Sequence, residues 1–316
     1  MRFVNYRYDG NVRLGAVEDG YVIDLNQAYQ CLLESKGRLR AKQIAEAFIP
    51  SDMIGFLQGD KESFGMAKEA VAYARTESQV FGKRIILPLE DVQLEAPVLA
   101  PGKIICVGHN YREHILEMKR EIPAYPVVFA KFSNTIIGPQ KEIPYWPISE
   151  QLDYEAEFAF VIGKRARNVT SQDALDYVAG YTIVNDVTYR DIQCRTLQWL
   201  QGKTVEGTAP MGPWLVSKDE IPDPAGLEVV LTVNGEERQR SNTRNLVFTV
   251  PFLVEYLSGL MTLETGDVIC TGTPGGVGDA MQPPTYLQDG DVVRIEISSI
   301  GALENRVKRQ SEGAFT

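Results

Sequence analysis

The segment YEAEFAFVIG, residues 154–163, constrains the fold of this chain more than any other. It alternates as a β-strand does. Glu155, Glu157, Ala159 and Val161 fall on one face, and Tyr154, Ala156, Phe158, Phe160 and Ile162 on the other. Both faces are apolar downstream, so the glutamates do not look out into bulk water. Two like charges on a half-buried face need compensation. A third acid, Asp186, ends another apolar strand, AGYTIVND. Three carboxylates converging from strand ends make an all-oxygen site suited to Mg²⁺ or Mn²⁺, with Ca²⁺ as a further option. The alternative is a glutamate pair salt-bridged to the nearby Lys164 or Arg165.

Around this strand the texture is mixed. RFVNYRY, NVRLGAVE and YVIDL alternate and are separated by Asp9-Gly10 and Asp19-Gly20, which predicts a β-meander over the first thirty residues. From Leu39 to about Ser78 apolar residues recur at three and four. That spacing predicts helices in LRAKQIAEAFI, SDMIGFL and DKESFGMAKEAVAYARTE, with Ser51 and Asp60 as N-caps. Pro88, Pro97 and Pro101 then punctuate an extended stretch. They set a small N-terminal α/β domain, residues 1–100, apart from a larger one over residues 101–316.

Beyond Lys103, KIICVG, VVFAKF, LEVVLTV, GDVICTG and DVVRIEIS read as further strands, and Asn234-Gly235 turns a hairpin. Helices are fewer: SQDALDYV, RDIQCRTLQWL and PFLVEYLSGL. The strands do not alternate with helices of ~10–15 residues, which disfavours a doubly wound parallel sheet. The expected class is α+β, mainly β.

Charge and cysteine content exclude several functions. The 32 Lys+Arg against 42 Asp+Glu leave a formal charge of −10 and no basic stripe for phosphates, so nucleic acid is not an expected partner. Cys31, Cys106, Cys194 and Cys270 lie far apart with no C-x-x-C pair, which fits neither a disulfide framework nor a zinc ribbon and suits a reducing cytosol. No apolar run approaches ~18 residues and MRFVNYRYDG has no signal-peptide core, so a cytoplasmic protein with no membrane partner is expected.

Three further groups could carry chemistry. The only histidines, His109 and His114, share the segment GHNYREHILEM. If YREHILEMKR is a helix, His114 and Glu117 are i,i+3 neighbours, and a carboxylate beside an imidazole makes a general base. An incidental surface pair is the alternative. Lys203, between glycines in QGKTVEGTAPMGPW, could reach a substrate carbonyl as a fixed cation or be a solvated loop lysine. TGTPGGVG, residues 271–278, lacks both the P-loop and the dinucleotide signature. It could still present backbone N–H groups and the Thr273 hydroxyl to a carboxylate, or be a plain wide turn.

In chain order these signals are G-x-N-Y-x-x-H-x-x-E, Q-L-D-Y-E-x-E, G-Y-T-I-V-N-D-V-T-x-R-D, G-K-T and T-G-T-P-x-G-V-G. The series resembles the fumarylacetoacetate hydrolase family from about Lys103 to about Val307. The resemblance implies a mixed β-sandwich roll and a homodimer. It implies that Glu155, Glu157 and Asp186 bind the cation and that His114 and Glu117 activate water on a lid. Lys203 would stand beside the metal, and Arg190, Gln193 and Thr273 would contact substrate.

The activity implied is metal-dependent hydrolysis of a C–C bond in acylpyruvate-type β-diketo acids, without an organic cofactor. Oxaloacetate decarboxylation, and isomerisation or hydration of 2-oxo acids, are alternatives on the same site. A non-catalytic partner protein is the remaining one, and the dyad and lysine argue against it. Three positions depart from the family pattern: Phe132 in FAKFSN, Tyr189 close behind Asp186, and Glu206 after G-K-T. Phe132 and Tyr189 are bulky and are expected to bear on substrate size.

Overall fold

The computed structural model describes residues 1–77, 79–80, 83–117 and 121–311. It is a mainly β α+β fold built on one long mixed sheet and a smaller second sheet. Along the long sheet the strands run Tyr21–Asp24, Asn11–Glu18, Arg2–Tyr8, Ala209–Ser217, Val178–Asn185, Ala156–Ile162, Val268–Cys270, Ile104–Gly108 and Val127–Lys131. In that series every neighbour is antiparallel except Val268–Cys270 against Ile104–Gly108. The second sheet runs Ile143–Tyr145, Gly301–Arg309, Val292–Ile297, Glu228–Val233 and Glu236–Asn242.

The alternation in YEAEFAFVIG decides how the layers stack. Phe158, Phe160 and Ile162 share a core with Val229, Leu231, Val293, Ile295 and Leu303 of the second sheet. Ala159 and Val161 point the other way, into a core with Leu25, Ala28, Phe56, Ala67 and Ala70 from the N-terminal helices. The strand Ala156–Ile162 is therefore buried along its whole length, as a central strand covered on both faces must be. The Phe158 ring stacks on Tyr181 at 5.4 Å, and truncating such a ring to Ala costs about 3–5 kcal/mol.

The Asp-Gly and Asn-Gly turns form as expected. Asp9, Asp19 and Asn234 all take positive φ before Gly10, Gly20 and Gly235, the backbone of a tight hairpin turn. Elsewhere the boundaries move. The meander ends at Asp24, whose side chain accepts from the Gln27 N–H and caps an eleven-residue helix, Leu25–Ser35. Asp52, not Ser51, caps the helix Met53–Gln58 by accepting from the Gly55 N–H. Asp60 is the first residue of Asp60–Thr76 rather than its cap.

SQDALDYV yields only the 3₁₀ turn Ala174–Tyr177. RDIQCRTLQWL breaks into Arg190–Gln193 and Leu200–Lys203, because the Thr196 hydroxyl bonds both the N–H and the carbonyl of Gln198. Two strands carry no simple pattern: Ala209–Ser217, which contains two prolines, and the charged Gly301–Arg309. No helix among the described residues is long and apolar enough to cross a membrane.

Candidate metal centre and active site

Pairing of Ala156 with Asn185 brings the acid-bearing ends of two strands together. The Asp186 N–H donates to the Glu155 carbonyl at 2.9 Å, and the Glu155 N–H donates to Asn185 Oδ1 at 3.0 Å. Glu155, Glu157 and Asp186 each place a carboxylate oxygen within 4.8 Å of the others, and all three residues are buried.

Their compensation comes from further along the chain than sequence proximity suggests. Lys164 pairs with Asp60 and Arg165 with Glu264, so neither serves the glutamates. Instead Lys203, fully buried, donates to Glu155 Oε2 at 2.9 Å and to Asp186 Oδ2 at 2.7 Å. Arg190 reaches Glu155 Oε1 at 2.7 Å and Asp153 Oδ2 at 2.7 Å. Lys131 Nζ lies 2.9 Å from Asp186 Oδ1.

These partners push the two glutamates in opposite directions. Burial works against a charged Glu155, but Lys203 and Arg190 outweigh it and hold the carboxyl at about 2. Glu157 has no such cation among the described residues, and its oxygen accepts only the Gly272 N–H, at 2.7 Å. Burial, followed by Cys270, Asp186 and Glu155, pushes it well above the usual carboxylate range. Lys203 is itself held above its ordinary value: burial opposes its charge, and Asp186 and Glu155 overcome that. A buried carboxylate left short of positive charge, in an all-oxygen cluster, fits a hard divalent cation.

Over this cluster lies the short helix Arg112–Glu117. The His114 Nδ1 is 3.3 Å from Glu117 Oε2, and His114 is buried. Both glutamates of the helix are docked. Glu113 Oε1 accepts from the Ser241 hydroxyl and from Asn245 Nδ2, while Glu117 Oε2 also accepts from the Gly276 N–H at 3.3 Å. The predicted continuation through Met118, Lys119 and Arg120 lies outside the described residues.

The glycine-rich turn binds carboxylates, but the protein's own. Its N–H groups at Gly272, Gly276 and Gly278 go to Glu157, Glu117 and Asp153 respectively. That leaves Thr273, with the apolar Val277, as the turn's side chains on the pocket.

Of the residues the sequence singles out, His114, Glu155, Glu157, Arg190, Gln193, Lys203 and Thr273 line one pocket of about 100 Å³. Asp186 and Glu117 hold those lining groups from behind. Val107, Phe129 and Trp199 supply an apolar wall. The volume is well under the roughly 300–1,000 Å³ of sites for drug-sized ligands. The bulky departures do not set that size. Phe132 is 52% exposed and Tyr189 is buried in the core with its hydroxyl accepting from the Trp146 N–H; neither lines the pocket. Glu206 is exposed and accepts from Asn134.

Three contributors are given no role by the sequence. Lys131 sits inside FAKFSN, where alternation alone does not separate a buried lysine from a surface one. Asp153 accepts from Arg190 and from the N–H groups of Gly278 and Asp279, fixing the arginine. Its signal is the Asp of Q-L-D-Y-E. His109 takes φ +53° at the pocket wall and meets the Trp199 ring edge-on at 5.3 Å.

Known proteins with this arrangement define the class. Residues 103–308 match the family model described as fumarylacetoacetate (FAA) hydrolase C-terminal. The chain belongs to the fumarylacetoacetate hydrolase family and is an enzyme of it. It is 40% identical over 295 residues to oxaloacetate tautomerase YisK of Bacillus subtilis, covering 92% of this chain and 94% of that one. Among solved structures, a fumarylacetoacetate hydrolase from the psychrophilic Exiguobacterium antarcticum superposes with a TM-score of 0.80 at 36% identity, covering 98% of this chain and all of the other. A maleylpyruvate hydrolase from Sphingobium sp. SYK-6, in complex with manganese(II) and pyruvate, gives 0.74 at 28% identity, covering 98% of this chain and 100% of that one.

Proposed function

We propose that the protein is a divalent-metal-dependent tautomerase of small 2-oxo dicarboxylic acids, with oxaloacetate as the model substrate. The observation carrying this reading is that Glu155 and Glu157 of the three-acid cluster, the histidine that pairs with Glu117 and two buried cations line one small pocket, with Asp186 and Glu117 directly behind them. The likeness to an oxaloacetate tautomerase over nearly the whole chain supports it.

A cation held by Glu155, Glu157 and Asp186 would supply Lewis acidity toward a chelating 2-oxo acid. The remaining steps belong to the side chains. With Glu117 accepting the hydrogen bond of a His114 Nδ1–H, Nε2 is left as the basic nitrogen. That nitrogen removes a proton from C3, the C–H electrons form the C2–C3 double bond, and the carbonyl π pair moves to the 2-oxo oxygen. Passing the same proton to that oxygen completes the isomerisation with no net proton gained or lost. Lys203 fixes Glu155 and Asp186 and adds positive charge beside the developing enolate. Arg190, Gln193 and Thr273 receive carboxylate oxygens.

The second reading is C–C hydrolysis of an acylpyruvate, favoured by the same His114–Glu117 pair, which is equally suited to activating water. The tautomerase relative weighs toward the first. His114→Ala separates base catalysis from mere binding. Its kcat for oxaloacetate tautomerisation is expected to fall by about 10²–10⁴-fold with Mn²⁺ affinity retained. A variant within a fewfold of the parent would remove His114 from the mechanism.

A further inference from the structure

The strand Glu236–Asn242, EERQRSN, lies at the edge of the second sheet and reads as a solvent-facing arm. A register shift opposite Leu231 and Thr232 leaves Arg238 as an extra residue, and beyond it Gln239 and Ser241 turn inward. Ser241 docks the His114 helix through Glu113. Gln239, 1% exposed, bonds the site itself.

Its amide makes three hydrogen bonds. Oε1 accepts from the Ala156 N–H, between Glu155 and Glu157, at 2.9 Å. Nε2 donates to the Pro274 carbonyl at 2.9 Å and to Thr273 Oγ1 at 2.8 Å. The orientation is forced, because a carbonyl only accepts and a backbone N–H only donates. The Thr273 hydroxyl therefore accepts from Gln239 and must send its proton elsewhere. No acceptor for it lies among the described residues, and Thr273 lines the pocket.

The spacing is rigid. Gly276 has φ +96°, and a Cβ there would come within 2.0 Å of the Arg238 carbonyl, so turn and strand pack backbone to backbone. The preceding Gly272 N–H holds Glu157. Thr273 thus stands beside the acid cluster, where the chelating end of a 2-oxo acid would lie.

We infer that Gln239 is a positioning residue: by occupying one lone pair of the Thr273 hydroxyl it directs that hydroxyl's proton to the carboxylate at the chelating end of the substrate. The inference rests on the pocket being a 2-oxo acid site. A hydroxyl whose proton is directed into the pocket rewards a carboxylate oxygen there, which accepts it.

The test is pyruvate binding to the Mn²⁺-loaded protein by calorimetry, in the parent, Gln239→Met, Thr273→Val and the double variant. Each single change is expected to weaken pyruvate by roughly ten- to hundredfold, the scale of a hydrogen bond to a charged group. The double variant should be no more than about twofold worse than Thr273→Val, since both remove one interaction. Thr273→Ser, which keeps the hydroxyl, should bind pyruvate within about threefold of the parent. In turnover KM rises while kcat holds, which a general loss of structure would not produce.

Should Gln239→Met fail to fold, Gln239→Glu replaces the donor by an acceptor, keeps an oxygen for Ala156, and carries the same expectation. Parent-like pyruvate affinity in either Gln239 variant, or losses that multiply in the double variant, overturns the inference. Pyruvate binding needs no turnover. A parent protein that binds pyruvate but leaves oxaloacetate untouched would defeat the tautomerase reading alone.

Discussion

Glu157→Gln is expected to raise the melting temperature of the metal-free protein and to abolish its response to Mg²⁺ or Mn²⁺. The two effects share one cause. Glu157 is buried beside Glu155 and Asp186 with no cation against it among the described residues, so its charge opposes folding. A glutamine keeps the shape and an oxygen for the Gly272 N–H. The sign with pH follows. A carboxyl raised above its unfolded value of ~4.3 does not oppose folding below that pH. Stability is lost as pH rises from there through the raised value, so the gap between variant and parent widens with pH. With cation at a hundred times its Kd the parent gains about 2.7 kcal/mol, and the variant should gain almost none. Equal metal-induced shifts in the two proteins, read by thermal melts with and without Mn²⁺, would remove Glu157 from the ligand set.

Lys203→Met is expected to cost both stability and rate. The ammonium bridges Glu155 and Asp186, and deleting it leaves Glu155 with Arg190 alone and Asp186 with Lys131 alone. Removing one member of a buried ion pair typically costs about 3–5 kcal/mol. Added Mn²⁺ should recover part of that loss, because a second cation can satisfy the same acids. Activity should not recover. With positive charge missing beside the enolate, kcat/KM should stay down by roughly 10³-fold or more even at saturating metal. A fall of only a fewfold, with unchanged melting, would make Lys203 a spectator.

Much of the site was legible because strand alternation and chemistry spoke together. Two acids among apolar neighbours in YEAEFAFVIG implied buried carboxylates, and Asp186 at a strand end implied their convergence; the three meet as expected. The partners of those acids were not legible from proximity. Lys164 and Arg165 are close in sequence but sit past the end of the strand, while Arg190, Lys131 and Lys203 arrive through long-range pairing.

Gln239 was invisible for a related reason. In EERQRSN the register shift at Arg238 breaks the period-two rule that would have exposed an inward residue. The helix Leu25–Ser35 was missed although its buried residues recur at helical spacing, because the Asp24 cap falls inside what reads as the third strand. The reaction was the least legible part. Hydrolysis, decarboxylation and tautomerisation all use a chelated 2-oxo acid beside a base, so these residues alone rank none of them, and the tautomerase relative tips the balance.

The most direct measurement is the decay of enol oxaloacetate, followed by its ultraviolet absorbance, with catalytic protein in Mn²⁺ and in excess chelator. Faster enol–keto interconversion with Mn²⁺, lost with chelator and in His114→Ala, and unaccompanied by pyruvate at a matching rate, is the predicted result. No acceleration by the Mn²⁺-loaded parent, with acetylpyruvate cleaved under the same conditions, would contradict the tautomerase assignment.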